Sequence, residues 1–133
     1  MKKNILHGII AGILAAVAGI VYQKAYEDAM FLDFSSVINP GSIAGASLFG
    51  CMLMAFGYWL LVRFNKPNLK AWLNVLITVL SFLSILGPLG VTLPLDVEFP
   101  EMFPGLAIPM HFFPAMIFFG LYPFFTNSTL DER

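Results

Sequence analysis

The chain has 133 residues, of which 59% are hydrophobic and 11% are charged. A soluble globular domain averages about 45–50% and about 25%, so the composition favours a membrane protein. Seven Lys and Arg against eight Asp and Glu give a formal net charge of −1, which excludes a basic field able to recruit nucleic acid. The single cysteine, Cys51, cannot form an internal disulfide or a thiolate cluster.

Four stretches are long and apolar enough to cross a hydrocarbon core of about 30 Å as helices. They lie at residues 5–22, 43–62, 71–89 and 106–125, and the first has room to continue as helix to Asp28. The runs lack the polar alternation of barrel strands. The sequence therefore predicts an all-α integral membrane protein, with residues 1–133 forming a single four-transmembrane-helix bundle.

The charges of the connecting segments predict the orientation of this bundle. Six of the seven basic residues fall on one side: Lys2, Lys3, Arg63, Lys66, Lys70 and Arg133. The other side carries Lys24 and six acidic residues: Glu27, Asp28, Asp33, Asp96, Glu98 and Glu101. By the positive-inside rule both termini are expected to be cytoplasmic, in a plasma or inner membrane.

The first span also has features of a secretory signal peptide, namely two lysines, an apolar stretch and the small-residue pattern Ala16-Val17-Ala18. Cleavage after Ala18 would leave three spans, with the remaining charges arranged around an odd number of helices. We therefore expect the first helix to be retained.

Small residues recur at four-residue intervals in the first two spans. Small side chains let helices approach closely in lipid, where apolar burial gives little drive for association. The sequence thus predicts helix packing between spans one and two, favoured over a homodimer face. The predicted packing positions are Gly8, Gly12, Gly45 and Gly50.

The long connections carry turn and interface signals. Residues 29–42 are too apolar for a freely solvated loop and end in Asn39-Pro40-Gly41, with Ser42 expected to cap the second helix. In residues 94–104 the alternation of apolar Leu95, Val97 and Phe99 with acidic residues predicts an extended segment. We expect this segment to cover the outer mouth of the bundle, with docking of a partner's strand as the alternative.

Prolines interrupt the last two spans. Gly87-Pro88 and Gly90 are expected to loosen the end of span three. Each proline in span four lacks a backbone N–H and frees the carbonyl four residues earlier, so bent or locally unwound helix is expected. Pro109, Pro114 and Pro123 free the carbonyls of Gly105, Met110 and Phe119.

No catalytic motif is evident in the sequence. It has no phosphate-binding glycine loop, no two-histidine metal pattern and no dinucleotide fingerprint. The apolar portions of the spans contain no acidic residue for a proton relay. We therefore predict no catalytic residues, no metal and no cofactor.

His111 is the one ionisable residue clearly within a span, about 9 Å below the outer start of span four. The favoured interpretation is a neutral group satisfied by a neighbouring helix, through Gln23 or a tyrosine hydroxyl. The alternative is a ligand pocket at an outward-facing mouth. Its predicted lining is His111 with Tyr22, Gln23, Tyr26, Asn39, Asp96 and Glu98.

Two further groups of polar residues have structural interpretations. His7 lies near the cytoplasmic start of span one, where a surface imidazole is expected. Asn74, Thr78 and Ser81 keep helical spacing along span three, which predicts interhelical hydrogen bonds.

Three functions follow, in decreasing order of preference. The first is a noncatalytic accessory or structural subunit of a membrane assembly, contacting membrane lipids and either other membrane-protein subunits or further copies of itself. The second is binding or transport of a small lipophilic molecule at a cavity near His111. The third is a lipid-modifying enzyme with His111 as acid or base, assisted by Asp96 or Glu98.

Overall fold

The structure, a computed structural model, describes residues 2–125. Within this range the chain is helical and has no strand. The helices are α1 (Lys2–Met30), α2 (Pro40–Arg63), α3 (Lys70–Ser84), α4 (Leu86–Gly90) and α5 (Phe103–Phe125). Short 3₁₀ turns at Pro67–Leu69 and Pro100–Met102 lead into α3 and α5.

Four segments of the described chain have the length and apolar composition of membrane spans. They are Lys2–Met30, Pro40–Arg63, Pro67–Gly90 and Pro100–Phe125. The prediction of an all-helical chain with four span-like helices is thereby confirmed. The helices extend beyond the predicted cores, and α1 continues past Asp28. Arg133, one of the basic residues used for orientation, lies outside the described residues.

The four long helices alternate in direction. At one end of the bundle His7 of α1 contacts Phe118 of α5, and at the other Tyr26 contacts Met102. We call the second end, which carries the connections 31–39 and 91–99, the long-loop end, and the opposite one the short-loop end. In the described chain α1 packs on α2 and α5, whereas α3 contacts α2 and α5 but not α1.

Glycines of α1 bring it close to α2. A Cβ atom at Gly8 would lie 2.8 Å from the Cβ of Ala55, and one at Gly12 would lie 2.9 Å from the Cα of Leu48. Real Cβ atoms do not approach other atoms so closely, so any larger residue at either position would push the helices apart. These two predicted positions therefore lie at the α1–α2 contact.

The glycines predicted for packing in α2 lie elsewhere. A Cβ at Gly45 would meet no atom within 4 Å, and one at Gly50 would have Pro114 Cβ as its nearest neighbour, at 3.8 Å. Neither glycine is therefore a close-approach position within this chain. The α1–α2 contact is instead narrow because of the α1 glycines, which pack against larger residues of α2.

Proline affects the two later spans differently. Pro88 cannot donate to the carbonyl of Ser84, and the helix is interrupted there, with α3 ending at Ser84 and α4 beginning at Leu86. By contrast, α5 is continuous through Pro109, Pro114 and Pro123. Of the two expected outcomes, a bent or a locally unwound helix, the unwinding therefore does not occur.

The long-loop end is closed by a small apolar cluster. Phe34 from one connection and Val97 from the other pack with Phe103 and Leu106 of α5. Val97 lies in a turn, with its N–H bonded to the carbonyl of Pro94, so the prediction of an extended segment is wrong. The alternating pattern did not predict the conformation, because the three apolar residues do not share a buried face: Val97 is buried, whereas Leu95 and Phe99 are exposed.

A capping box starts α2. The side chain of Asn39 accepts the N–H of Ser42, and the Ser42 hydroxyl accepts the N–H of Asn39. Asn39, not Ser42, is thus the cap residue, and Ser42 is its reciprocal partner.

Candidate functional site

A cavity of about 750 Å³ lies between α2, α3 and α5. We call it the α2–α3 groove. Its walls follow α2 from Ser42 to Leu60 and α3 from Leu73 to Ser84, and its floor includes Met110, His111, Pro114 and Ala115 of α5. It opens between the two wall helices, where apolar side chains such as Leu53 and Leu76 are more than half exposed.

The groove exists because α3 packs loosely beside a helix with small side chains. Ile77 is the only residue of α3 that is buried within the described chain. On the facing side, α2 presents Ala46 and Gly50, whose small size leaves space between the backbones, whereas the side chain of Leu73 already lies against Gly57. Close packing is the norm in protein interiors, so an open volume of this size is a feature to be explained.

The polarity of the groove changes along its length. All of its polar side chains lie toward the long-loop end, and the walls beyond Leu53 and Ile77 are apolar toward the short-loop end. No charged residue of the described chain lines the groove. The polar lining residues are Ser42, Ser47, Ser81, Ser84 and His111.

His111 lines the groove and has one ring nitrogen without a partner in the described chain. Its Nδ1 lies 2.8 Å from the carbonyl oxygen of Ala107, one turn earlier in α5. A carbonyl oxygen only accepts, so Nδ1 carries the proton, and Nε2 of the neutral ring is an acceptor. No described residue bonds to Nε2. The prediction that a neighbouring helix satisfies His111 is wrong, since its partner belongs to its own helix.

Ser47 brings the second unpaired polar group. Its side chain is buried, with a relative exposure of 6%, and its hydroxyl bonds to no described residue. No described side-chain oxygen or nitrogen is both fully buried and unpaired, so the Ser47 hydroxyl remains accessible from the groove that it lines. Ser47 lies about 10 Å from the start of α2, and His111 about 12 Å from the start of α5. The two residues are therefore at a similar depth.

Three of the residues predicted to share a pocket with His111 are engaged elsewhere. The hydroxyl of Tyr22 donates to the carbonyl of Gly105 at 2.9 Å, and that of Tyr26 to the carbonyl of Met102 at 2.9 Å. Gln23 is buried and donates to the Ile38 carbonyl and to Glu27. These side chains hold α1 to α5 and to the first long connection, and none of them lines the groove.

The other three predicted pocket residues are also outside the groove. Asn39 caps α2, as described above. Asp96 and Glu98 are exposed in the second long connection. Of the seven residues in the predicted site, His111 alone lines the groove. In the described chain, no group of three or more His, Cys, Asp or Glu side chains could hold a metal ion.

His7 is not a surface residue, contrary to the prediction. Its exposure is 4%, and its Nε2–H donates to the carbonyl of Phe118 at 2.9 Å. The ring stacks on Phe118 at 4.0 Å and on Phe125 at 4.8 Å between ring centroids. The last turns of α5 return to the start of α1 and cover it, which explains the burial.

The polar residues of α3 bond mainly within their own helix. The hydroxyls of Thr78 and Ser81 donate to the carbonyls of Asn74 and Ile77, four residues earlier. Only Asn74 makes the predicted interhelical bond, accepting from the hydroxyl of Tyr58. The interhelical prediction is therefore wrong for Thr78 and Ser81.

Sequence reasoning missed Ser47 and the groove itself. Ser47 is a single small polar residue in an apolar helix, a pattern that also describes a serine bonded to its own backbone. Its significance depends on the absence of that bond and on the space left by α3.

Comparison with known proteins finds no matching family model, no matching curated protein and no matching solved structure. Function must therefore be argued from the chain's own residues.

Proposed function

We propose that this chain is an integral membrane protein that binds a small lipophilic molecule in the α2–α3 groove. The single observation that carries the proposal is an uncharged groove of about 750 Å³ whose polar side chains, His111 among them, all lie toward the long-loop end. Ligand pockets are typically about 300–1,000 Å³, with apolar walls and a few polar groups that orient the ligand. The groove has all three of these properties.

The membrane setting determines what reaches the groove. The side chains at its opening, among them Leu53, Phe56, Leu76 and Leu80, are apolar and half exposed. In a bilayer such an opening faces hydrocarbon, so a ligand enters sideways from the lipid and not from water. This favours a molecule that is itself dissolved in the membrane.

The proposed orientation places both termini in the cytoplasm of a plasma or inner membrane. The support is the charge distribution: Arg63, Lys66 and Lys70 lie at the short-loop end, and the acidic residues Asp33, Asp96 and Glu98 at the long-loop end. The positive-inside rule then places the polar end of the groove in the outer leaflet.

A pair of glycine variants tests the proposal. Gly50 lines the groove, so the side chain of Gly50→Leu would project into it, whereas Gly45→Leu adds the same atoms where no atom lies within 4 Å. After purification in mild detergent, native mass spectrometry should detect a bound lipophilic molecule on the wild type and on Gly45→Leu, but not on Gly50→Leu. Equal occupancy in all three proteins, or none in the wild type, would contradict ligand binding in the groove.

A second candidate function is an accessory or structural subunit, which one observation favours. Apart from Ile77, no residue of α3 is buried within the described chain, so a partner helix or a second copy would find an open surface there. Crosslinking in cells from Trp72, which is 71% exposed, should then capture a protein partner. Recovery of an uncrosslinked monomer would argue against the subunit role and leave ligand binding intact.

The lipid-modifying hypothesis has the weakest support. It requires a carboxylate beside His111 to assist proton transfer. Asp96 and Glu98 are exposed in the second long connection, and no described carboxylate lines the groove. The geometry therefore favours binding over catalysis.

A further inference from the structure

On the basis of the proposed function, we infer that the ligand is a neutral, single-chain lipid alcohol. Its hydroxyl bonds to Nε2 of His111 at the level of Ser47, and its hydrocarbon tail follows the groove toward Leu60. Three properties of the groove lead to this ligand: its lack of charge, the hydrogen-bonding state of its polar groups, and its size and polarity.

The absence of charge excludes ionised head groups. No Lys, Arg, Asp or Glu of the described chain lines the groove. A carboxylate, phosphate or ammonium head placed there would lose its hydration without gaining a counter-charge, which is very unfavourable in a medium of low dielectric constant. Fatty acids in their ionised form, phospholipids and lipid amines are therefore poor fits, and a neutral head is required.

The state of His111 determines what that neutral head must do. Nδ1 is committed as a donor to the carbonyl of Ala107, so Nε2 can only accept a hydrogen bond from the ligand. A hydroxyl donates this hydrogen bond, whereas an ether, an ester or a ketone has no donor. The oxygen of the same hydroxyl can accept from Ser47, whose own hydroxyl has no partner in the described chain. An alcohol thus matches both unpaired groups.

Size and polarity determine the tail. The polar lining residues lie toward the long-loop end, and the walls from Leu53 to Leu60 and from Leu73 to Ile77 have no polar side chain. From Ser47 to Leu60 the groove follows α2 for about 20 Å. At about 30 Å³ per non-hydrogen atom, 750 Å³ accommodates roughly 25 atoms. A two-chain phospholipid is about twice that size, so the groove suits one long chain.

Three probes that share one tail test the head group. Oleyl alcohol, oleyl methyl ether and oleic acid at pH 8 are titrated into the full chain in lipid nanodiscs, and each dissociation constant is measured. Loss of one hydrogen bond in a buried site raises the dissociation constant by up to about tenfold. We expect the alcohol to bind about tenfold more tightly than the ether and the acid to bind most weakly. Equal binding of alcohol and ether, or tighter binding of the acid, would overturn the inference.

Spectroscopy identifies the atom that accepts the hydrogen bond. The chain has two histidines, so His111→Gln assigns their nitrogen signals. Oleyl alcohol should shift the ¹⁵N resonance of His111 Nε2, and the ether should not. Ser47→Ala should weaken binding of the alcohol several-fold, whereas Thr78→Ala, a hydroxyl deletion outside the groove, should leave it unchanged. An unshifted Nε2 resonance with alcohol bound would overturn the assignment.

The two proposals fail in distinguishable ways. If Gly50→Leu expels a co-purified molecule but none of the three probes binds, the groove is a ligand site and the inference about an alcohol is wrong. If no molecule co-purifies and no probe binds, the proposed function itself is wrong.

Discussion

The hydroxyl of Tyr22 donates a 2.9 Å hydrogen bond to the carbonyl oxygen of Gly105, the carbonyl that Pro109 leaves without its helical donor. A side chain of α1 thus supplies the hydrogen bond that a proline of α5 removes. This contact satisfies the carbonyl that Pro109 frees and joins the two helices near the long-loop end.

A double-mutant cycle tests this compensation. Tyr22→Phe removes the donor and should lower the free energy of unfolding by about 1 kcal/mol. In a Pro109→Ala background the new backbone N–H reaches the Gly105 carbonyl, so Tyr22→Phe should then cost much less. Thermal or denaturant unfolding in detergent gives the coupling energy. An equal cost in both backgrounds would show that the Tyr22 hydroxyl does not compensate for the proline.

The α1 glycines predict a second difference in stability. Gly12→Leu places a side chain against Leu48, where even a Cβ atom would be 2.9 Å from the backbone. It should destabilise the bundle by about 1–3 kcal/mol, as overpacking does. Gly45→Leu is the matched control, because a Cβ there meets no atom within 4 Å. If both variants unfold at the same temperature, close approach through Gly12 does not stabilise the bundle.

Substitution of the two histidines should affect different properties: stability for His7 and ligand binding for His111. His7→Leu removes the bond to Phe118 O and the stacking on two phenylalanine rings, so it should destabilise the protein by about 1–3 kcal/mol. His111→Leu removes only a bond within its own helix, so it should remain folded while losing ligand. Unfolding midpoints and ligand retention are measured on both variants. A His111→Leu protein as unstable as His7→Leu would assign His111 a structural role.

The proposed orientation predicts a labelling pattern for single cysteines. In a Cys51→Ala background, cysteines at Asp33 and Glu98 should react with an impermeant maleimide in intact cells, because both are exposed at the long-loop end. A cysteine at Lys66 should react only after the membrane is permeabilised. The reverse pattern would place the polar end of the groove on the cytoplasmic side.

The sequence predicts the helices well because their determinants are local. Apolar length fixes the four segments, and Pro88 marks the interruption after Ser84. The glycines of α1 are likewise identified by their spacing, and the structure places them at the α1–α2 contact. These features depend on backbone hydrogen bonding and side-chain size, which can be inferred from the sequence of each segment alone.

The site is less predictable because it depends on distances between segments. The sequence predicts His7 at the surface, because its burial depends on the return of α5, which brings Phe118 and Phe125 over it. The groove depends on how far α3 lies from α2, which no periodicity encodes. Depth alone predicts that Tyr22 and Gln23 line a pocket, whereas in the structure both form hydrogen bonds between segments.

Photocrosslinking in native membranes tests most directly whether the groove holds a distinct ligand. A photoreactive amino acid is placed at Leu76, which lines the groove and is 52% exposed, or at Val75, which is 53% exposed and does not line it. After irradiation, mass spectrometry identifies what each position has captured. We expect a single-chain neutral lipid at Leu76, whose capture is reduced by competing oleyl alcohol, and bulk phospholipid at Val75. Capture of the same bulk phospholipids at both positions would contradict it.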